Sequence, residues 1–156
     1  MKLIQIMAAK GILSLVTSLI SGSISRSLEA RDHAGTFPRE CWQACADFGL
    51  LGLPIPPEYG GQGQDLLTTT VAMEALGHGC RDNGLVFSLN AQMWACQMPI
   101  LHYGSEEQKR RWLPELVAGR AIGAHAITEP GAGSDVVALT SRAERVTAPG
   151  RGYRLN

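Results

Sequence analysis

The residues with the clearest chemical potential lie in one stretch, residues 124–135, which reads AHAITEPGAGSD. Thr128 and Ser134 carry hydroxyls, and a hydroxyl can both donate and accept a hydrogen bond. Pro130 fixes its own φ and favours an extended conformation for the residue before it. We therefore expect a stiff bend with a hydroxyl group on each side of it.

The second half of this stretch is rich in glycine. Gly131 and Gly133 leave the backbone uncovered, and glycine can adopt dihedral angles that other residues avoid. Successive bare N–H groups form a concavity that binds anions. A stiff bend with free N–H groups and two hydroxyls suits a cofactor that carries phosphate and a heteroaromatic ring. An ordinary glycine-rich turn is the alternative.

The stretch is one of several motifs that point to the same family. Residues 126–135 resemble the flavin signature of the acyl-CoA dehydrogenases. Further motifs that carry the resemblance are residues 57–63 (PEYGGQG), 103–109 (YGSEEQK), 135–137 (DVV) and 152–156 (GYRLN). The resemblance covers about residues 28 to 156, and ordered motifs make it far more specific than a single glycine-rich loop.

The resemblance implies a mainly α fold, in which an acyl-CoA dehydrogenase-type helical bundle is followed by the first strands of an incomplete β-barrel domain. We expect the helical domain over residues 26–120 and a truncated β domain with the flavin-binding loop over residues 121–156. In this family the catalytic glutamate lies in a later, C-terminal helical domain. The resemblance therefore assigns no catalytic residue here, and we expect the chain alone to hold flavin weakly and to be inactive.

The resemblance also implies that the cofactor is FAD, and it assigns roles within the loop. The implied cofactor-binding residues are His125, Ala126, Ile127, Thr128, Gly133 and Ser134. Thr128 would hydrogen-bond the N1/O2 side of the flavin and stabilise the negative charge that develops there. Ser134 and the N–H group of Gly133 would hold the pyrophosphate, and Ser134 would also lie near the thioester arm of the substrate.

The implied reaction is α,β-dehydrogenation of an acyl thioester in fatty acid metabolism, with the hydride passing to the flavin. The implied partners are an acyl-CoA or a carrier-tethered acyl thioester, an electron-transfer partner and, at full length, further copies in a homo-oligomer. Residues 79–85 (GCRDNGL) also resemble relatives that act on carrier-tethered acyl groups. Two alternatives remain open: a flavin monooxygenase or nitroalkane oxidase of the same fold, and a non-catalytic helical interaction fragment.

The composition argues against nucleic-acid binding, a metal site and a membrane span. The 14 basic and 14 acidic residues cancel, so the sequence has no electrostatic footprint for nucleic acid. Four cysteines without a C-x-x-C pair predict buried free thiols in a reducing compartment, hence a cytoplasmic protein, rather than a metal site or a disulfide framework. Polar residues within the most apolar segment argue against a membrane span.

The elements before the loop must position it. Hydrophobic spacing predicts helices over residues 39–48 and 66–76, and Ser105 with Gln108 predicts a capping box for a further helix. The first of these helices would bury Trp42, Cys45 and Ala46. The second, capped by Asp65, would bury Leu67, Val71, Ala72, Ala75 and Leu76.

Residues 83–103 are apolar on nearly every side, which predicts a buried helix. By resemblance this helix forms one wall of the acyl-chain cavity. Gln92 and Met93 are therefore candidate substrate contacts, and ordinary core packing is the alternative.

The two ends of the chain complete the prediction. Residues 121–127, 136–146 and 153–155 are predicted to be strands around the cofactor loop. Residues 1–25 are predicted to form a surface helix that closes the bundle, with a targeting peptide or a misassigned start as the alternatives.

Overall fold

The computed structural model describes residues 28–146 and 152–156. The chain divides into two compact units, one that ends at Ala124 and one that begins at His125. The helix predicted for residues 1–25 lies outside the described residues.

The first unit is built from α-helices joined by short turns. The helices are α1 Leu28–Ala34, α2 Arg39–Asp47, α3 Leu66–Gly79, α4 Asn83–Asn90, α5 Met98–Tyr103 and α6 Glu106–Val117. A π-helical segment, Ala91–Gln97, joins α4 to α5, so the predicted helix over residues 83–103 is continuous but wider in its middle. Single 3₁₀ turns occur at Leu50–Gly52 and Pro57–Tyr59.

The predicted helix caps are confirmed. The Asp65 carboxylate accepts a hydrogen bond from the N–H group of Thr68 at 2.7 Å, at the start of α3. Ser105 and Gln108 form the reciprocal capping box of α6, with donor–acceptor distances of 3.3 and 2.8 Å. These bonds satisfy N–H groups that have no partner inside the helix.

The core of the first unit lies between α2, α3 and the long helix that begins with α4. Helix α2 buries Trp42, Cys45 and Ala46, as its spacing predicts. The Tyr59 ring is buried in a second cluster with Leu113, and its hydroxyl donates to the Glu106 carboxylate at 3.0 Å. Tyr59 therefore has a structural role, since it joins the segment of residues 57–63 to α6.

The predicted face of α3 is partly wrong. Leu67 is 53% exposed, whereas Thr69 and Met73 are buried with the predicted Ala72 and Leu76. Apolar residues occur all around this helix, so its sequence pattern leaves the buried face unspecified. Packing against α4 and the rest of the core selects that face instead.

The long helix over residues 83–103 is not buried on every side, which corrects a second prediction. Leu85, Leu89 and Met93 are buried, but Phe87 is 74% exposed and Tyr103 is 89% exposed. An apolar sequence shows that a side chain can be buried, and only the neighbouring elements decide whether it is.

The second unit contains a two-stranded antiparallel sheet of β1 Ala143–Val146 and β2 Gly152–Leu155. The strand predicted at the C-terminal end is therefore confirmed, whereas only the last residues of the predicted strand 136–146 form one. The strand predicted for residues 121–127 is wrong, because no described segment pairs with it and a strand requires a hydrogen-bonded neighbour.

The four cysteines are free thiols. Burial, with smaller contributions from Cys80 and Cys41, raises the pKa of the Cys45 thiol to about 12, which keeps it protonated. Among residues 28–146 and 152–156, no group of three or more His, Cys, Asp or Glu side chains is arranged to hold a metal ion. In that same part of the chain, no helix is both long enough and apolar enough to span a membrane.

Candidate cofactor site in residues 125–135

The bend at Pro130 is a tight turn and not part of a helix. The N–H group of Glu129 donates to the carbonyl oxygen of Ala132 at 2.8 Å, and the N–H group of Ala132 donates back to Glu129 at 3.2 Å. This reciprocal pair closes the turn around Pro130 and Gly131. The stiff bend expected from the sequence is present.

The four consecutive backbone amides of residues 131–134 differ in their hydrogen bonding. The N–H group of Ala132 is used within the turn, whereas those of Gly131, Gly133 and Ser134 have no acceptor among the residues that the structure describes. Gly131, Gly133 and Ser134 are also exposed. The loop therefore presents free donors of the kind that bind a phosphate or another anion.

Gly131 and Gly133 leave space open beside the backbone, and they do not adopt unusual dihedral angles. Neither Gly131 nor Gly133 has a positive φ, so the expectation that they supply dihedral angles forbidden to other residues is wrong. A Cβ atom built on either glycine meets no other atom within 4 Å. The absence of side chains thus keeps open the space beside the free N–H groups, where a ligand can approach the backbone.

The hydroxyl groups of Thr128 and Ser134 flank the turn on exposed residues. Neither hydroxyl makes a hydrogen bond to the described part of the chain. His125 and Ala126 are exposed and Ile127 is half-buried, so the six predicted cofactor contacts lie together on one accessible loop. Their contact with FAD stays a prediction.

The carboxylate of Glu129 is hydrogen-bonded to a later segment of the chain. Its Oε2 accepts hydrogen bonds from the N–H and hydroxyl groups of Thr140 at 2.9 and 3.1 Å, and its Oε1 accepts from the N–H of Ser141 at 2.9 Å. The Ser141 side chain and these N–H groups lower the pKa of Glu129 from 4.5 to about 2. Sequence reasoning missed this contact, because its partners lie 11 and 12 residues further along the chain.

The two candidate substrate contacts belong to the first unit. The Gln92 side chain donates to the carbonyl oxygens of Leu116 and Ala121, both at 3.1 Å, and accepts from the N–H of Gly123 at 2.7 Å. Both of its N–H donors are therefore committed to the backbone. Met93 is fully buried in the core. These contacts favour core packing, and a contact with substrate stays a prediction for both residues.

A separate cavity of about 610 Å³ lies within the first unit. The polar side chains that line it are already bonded within the chain. Gln43 donates to Asp47 and to the carbonyl of Ala118, and Arg120 pairs with Glu115 at 2.6 Å. The cavity therefore offers weaker grounds for a ligand site than the open loop does.

The described chain is thus a helical unit followed by a β unit whose loop presents free N–H groups. The family model "Acyl-CoA dehydrogenase, N-terminal domain" matches residues 8–120. The chain belongs to the acyl-CoA dehydrogenase family.

Individual relatives refine this assignment. The L-prolyl-[peptidyl-carrier protein] dehydrogenase of Pseudomonas fluorescens is 52% identical over 112 residues, which are 72% of this chain and 30% of that protein. The crystal structure of the prolyl acyl carrier protein oxidase AnaB matches with a TM-score of 0.83 and 46% identity, over 97% of this chain and 38% of that one. The chain thus spans about a third of the length of these relatives.

A third relative bears on the cofactor. The structure of PigA with FAD and proline matches with a TM-score of 0.82 and 34% identity, over 96% of this chain and 38% of that one. The predicted cofactor, FAD, is the one that this family member binds. The predicted fold is confirmed as well, since these neighbours have the acyl-CoA dehydrogenase fold.

Proposed function

We propose that this chain forms the N-terminal part of an FAD-dependent dehydrogenase that oxidises an acyl thioester tethered to a carrier protein. The observation that supports the cofactor is the open loop, in which the N–H groups of Gly131, Gly133 and Ser134 have no described acceptor. The observation that favours a carrier-tethered substrate over a free acyl-CoA is the 52% identity to a dehydrogenase of prolyl groups on a peptidyl carrier protein.

The loop fits an anionic cofactor on chemical grounds. FAD, when bound, supplies the two-electron acceptor for the hydride that leaves the substrate. In the proposed site the N–H groups of Gly133 and Ser134 donate to the pyrophosphate. The Thr128 hydroxyl donates to the flavin edge, where it stabilises negative charge. The remaining contacts are made by the backbone of His125, Ala126 and Ile127.

In this proposal the described residues position the cofactor, and none of them removes the α-proton of the substrate. The carboxylate of Glu129 lies in the loop, but both of its oxygens accept hydrogen bonds from Thr140 and Ser141. Its pKa of about 2 also makes it a weak base near neutral pH. The α-proton must therefore be removed by another group, and we expect no turnover from these 156 residues alone.

Cofactor binding is tested on the purified chain by titration with FAD and measurement of flavin fluorescence quenching. We expect weak, saturable binding that Gly133→Val reduces by about tenfold or more, equivalent to about 1.4 kcal/mol. The valine side chain enters open space, so it obstructs the ligand rather than the fold.

Gly152→Val is the matched control, because Gly152 lies in the same unit and its Cβ position is also open. It should leave FAD binding unchanged. Equal binding by wild type and Gly133→Val would contradict the assigned loop.

The substrate class is tested in a chimera, in which this chain replaces the matching N-terminal part of the Pseudomonas fluorescens relative. We expect the chimera to reduce a dye with L-prolyl carrier protein and to be inactive with free proline or an acyl-CoA. Activity with an acyl-CoA and none with the carrier-bound thioester would overturn the carrier assignment. The chain alone should reduce no dye with any of these substrates.

A further inference from the structure

Glu129 is fixed in two independent ways. Its backbone N–H and carbonyl groups pair with Ala132 across the turn, at 2.8 and 3.2 Å. Its side chain reaches Thr140 and Ser141, which follow the 3₁₀ turn Val136–Ala138. Glu129 therefore joins the start of the loop of residues 130–134 to Thr140 and Ser141, which lie 11 and 12 residues further along the chain.

The donors that face the carboxylate are all neutral. They are the N–H and hydroxyl groups of Thr140 and the N–H group of Ser141, with the Ser141 side chain close by. The leading causes of its lowered pKa are hydrogen bonds from the Ser141 side chain and from the N–H groups of Thr140 and Ser141. Hydrogen bonds from N–H groups to an ionised acceptor are stronger than those to a neutral one.

The contacts of the Glu129 carboxylate leave the N–H groups of the loop available to an anionic ligand. Without these partners the carboxylate would be free to accept hydrogen bonds from the N–H groups of the loop and to compete with a phosphate for them. Bonded to Thr140 and Ser141, the Glu129 carboxylate is used internally, and the N–H groups of the loop remain the free donors. The same contacts limit the conformations that the loop can adopt, which lowers the entropic cost of binding.

We propose that Glu129 is a positioning residue for the cofactor, since its carboxylate clamps the loop of residues 130–134 to Thr140 and Ser141. This clamp, defined by Glu129, Thr140 and Ser141, holds the free N–H groups in the arrangement that the pyrophosphate requires. The inference rests on the proposed function, because it assumes that the loop binds FAD.

The clamp is tested with Glu129→Gln in the full chain. Glutamine keeps the length of the side chain but removes the charge and places an NH₂ donor against the N–H groups of Thr140 and Ser141. We expect FAD to bind about tenfold or more weakly, and the backbone amides of Thr140 and Ser141 to exchange faster with solvent. Glu144→Gln is the control, because Glu144 is exposed on β1 and its removal changes the net charge of the chain equally.

A pH titration separates the clamp from a general loss of structure. In the wild-type chain the amide chemical shifts of Thr140 and Ser141 should report protonation of Glu129 with a midpoint near pH 2. This transition should be absent from Glu129→Gln and present in Glu144→Gln. The helical unit should melt at the same temperature in all three proteins.

Different results would overturn the clamp and the proposed function. Unchanged FAD affinity in Glu129→Gln would overturn the positioning role. If the wild-type chain bound no FAD up to millimolar concentration, the proposed function would fail. The clamp would then be judged by the Thr140 and Ser141 amides, and unaltered exchange in Glu129→Gln would overturn it as well.

Discussion

Two buried glutamines of the π-helical segment differ in their hydrogen bonding. Gln92 makes three hydrogen bonds to the backbone of Leu116, Ala121 and Gly123, which ties the long helix to the end of the first unit. Gln97 is fully buried, and neither its Nε2 nor its Oε1 has a partner among the described residues. A buried polar group without a partner costs about 1–3 kcal/mol, so the same residue type stabilises at one position and destabilises at the other.

The first prediction compares the two glutamines directly. Gln97→Met keeps the volume and removes the unpaired amide, so we expect the free energy of unfolding to rise by about 1–3 kcal/mol. Gln92→Met leaves the carbonyl oxygen of Ala121 and the N–H group of Gly123 unpaired, whereas the Leu116 carbonyl still accepts from the N–H of Gly119. It should therefore lower the free energy of unfolding by a similar amount or more. Urea denaturation followed by circular dichroism measures both. A destabilising Gln97→Met would show that a ligand, a water molecule or another segment pairs with this amide.

At the scale of elements, the ends of the helices follow directly from the sequence. Asp65 caps α3, Ser105 with Gln108 caps α6, and Gly119 follows the end of α6 with a φ of +71°. Each of these signals acts over a few residues, so it can be read locally. The π-helical segment and the exposed side of α3 have no such local signal.

The second prediction concerns Gly119. A Cβ atom at this position would lie 2.6 Å from the Cβ of Ala46 and 3.3 Å from the Nε1 of Trp42, which itself donates to the carbonyl of Gly119 at 3.1 Å. Gly119→Ala therefore combines the cost of a left-handed conformation, about 1–2 kcal/mol, with a steric clash in the core. We expect a lower melting temperature in calorimetry.

Gly35→Ala provides the matched control for Gly119→Ala. Gly35 also has a positive φ, of +61°, but no atom lies within 4 Å of its Cβ position. Its substitution should cost only the conformational term of about 1–2 kcal/mol. Equal losses at the two positions would contradict a clash between residue 119 and α2.

At the scale of the whole chain, the two units differ in how much they bury. The first unit has a core that includes Leu76 and Leu89, both fully buried. In the second unit β2 is exposed throughout and β1 is exposed except at Val146, which is half-buried. A two-stranded sheet that buries little apolar surface is marginally stable in water.

The third prediction follows from this difference and is measured by amide hydrogen exchange. The amides of α3 and α4 next to Leu76 and Leu89 should exchange slowly, because their exposure requires unfolding of the core. The amides of β1 and β2 should exchange much faster, since local opening costs little there. Equal protection in both units would show that the sheet is covered by a partner, such as a second copy of the chain.

The amino-acid sequence is enough to predict the family, the helix caps, the buried face of α2 and the loop that is open to a cofactor. These features depend on motifs or on spacing within a few residues, and hydrogen bonds and sterics of neighbouring residues specify them locally. The folded chain was needed to show which side of α3 is buried, how Gln92 and Gln97 differ, and where the Glu129 carboxylate binds. Those features depend on groups that are distant in sequence, whose contacts exist only once the chain has folded.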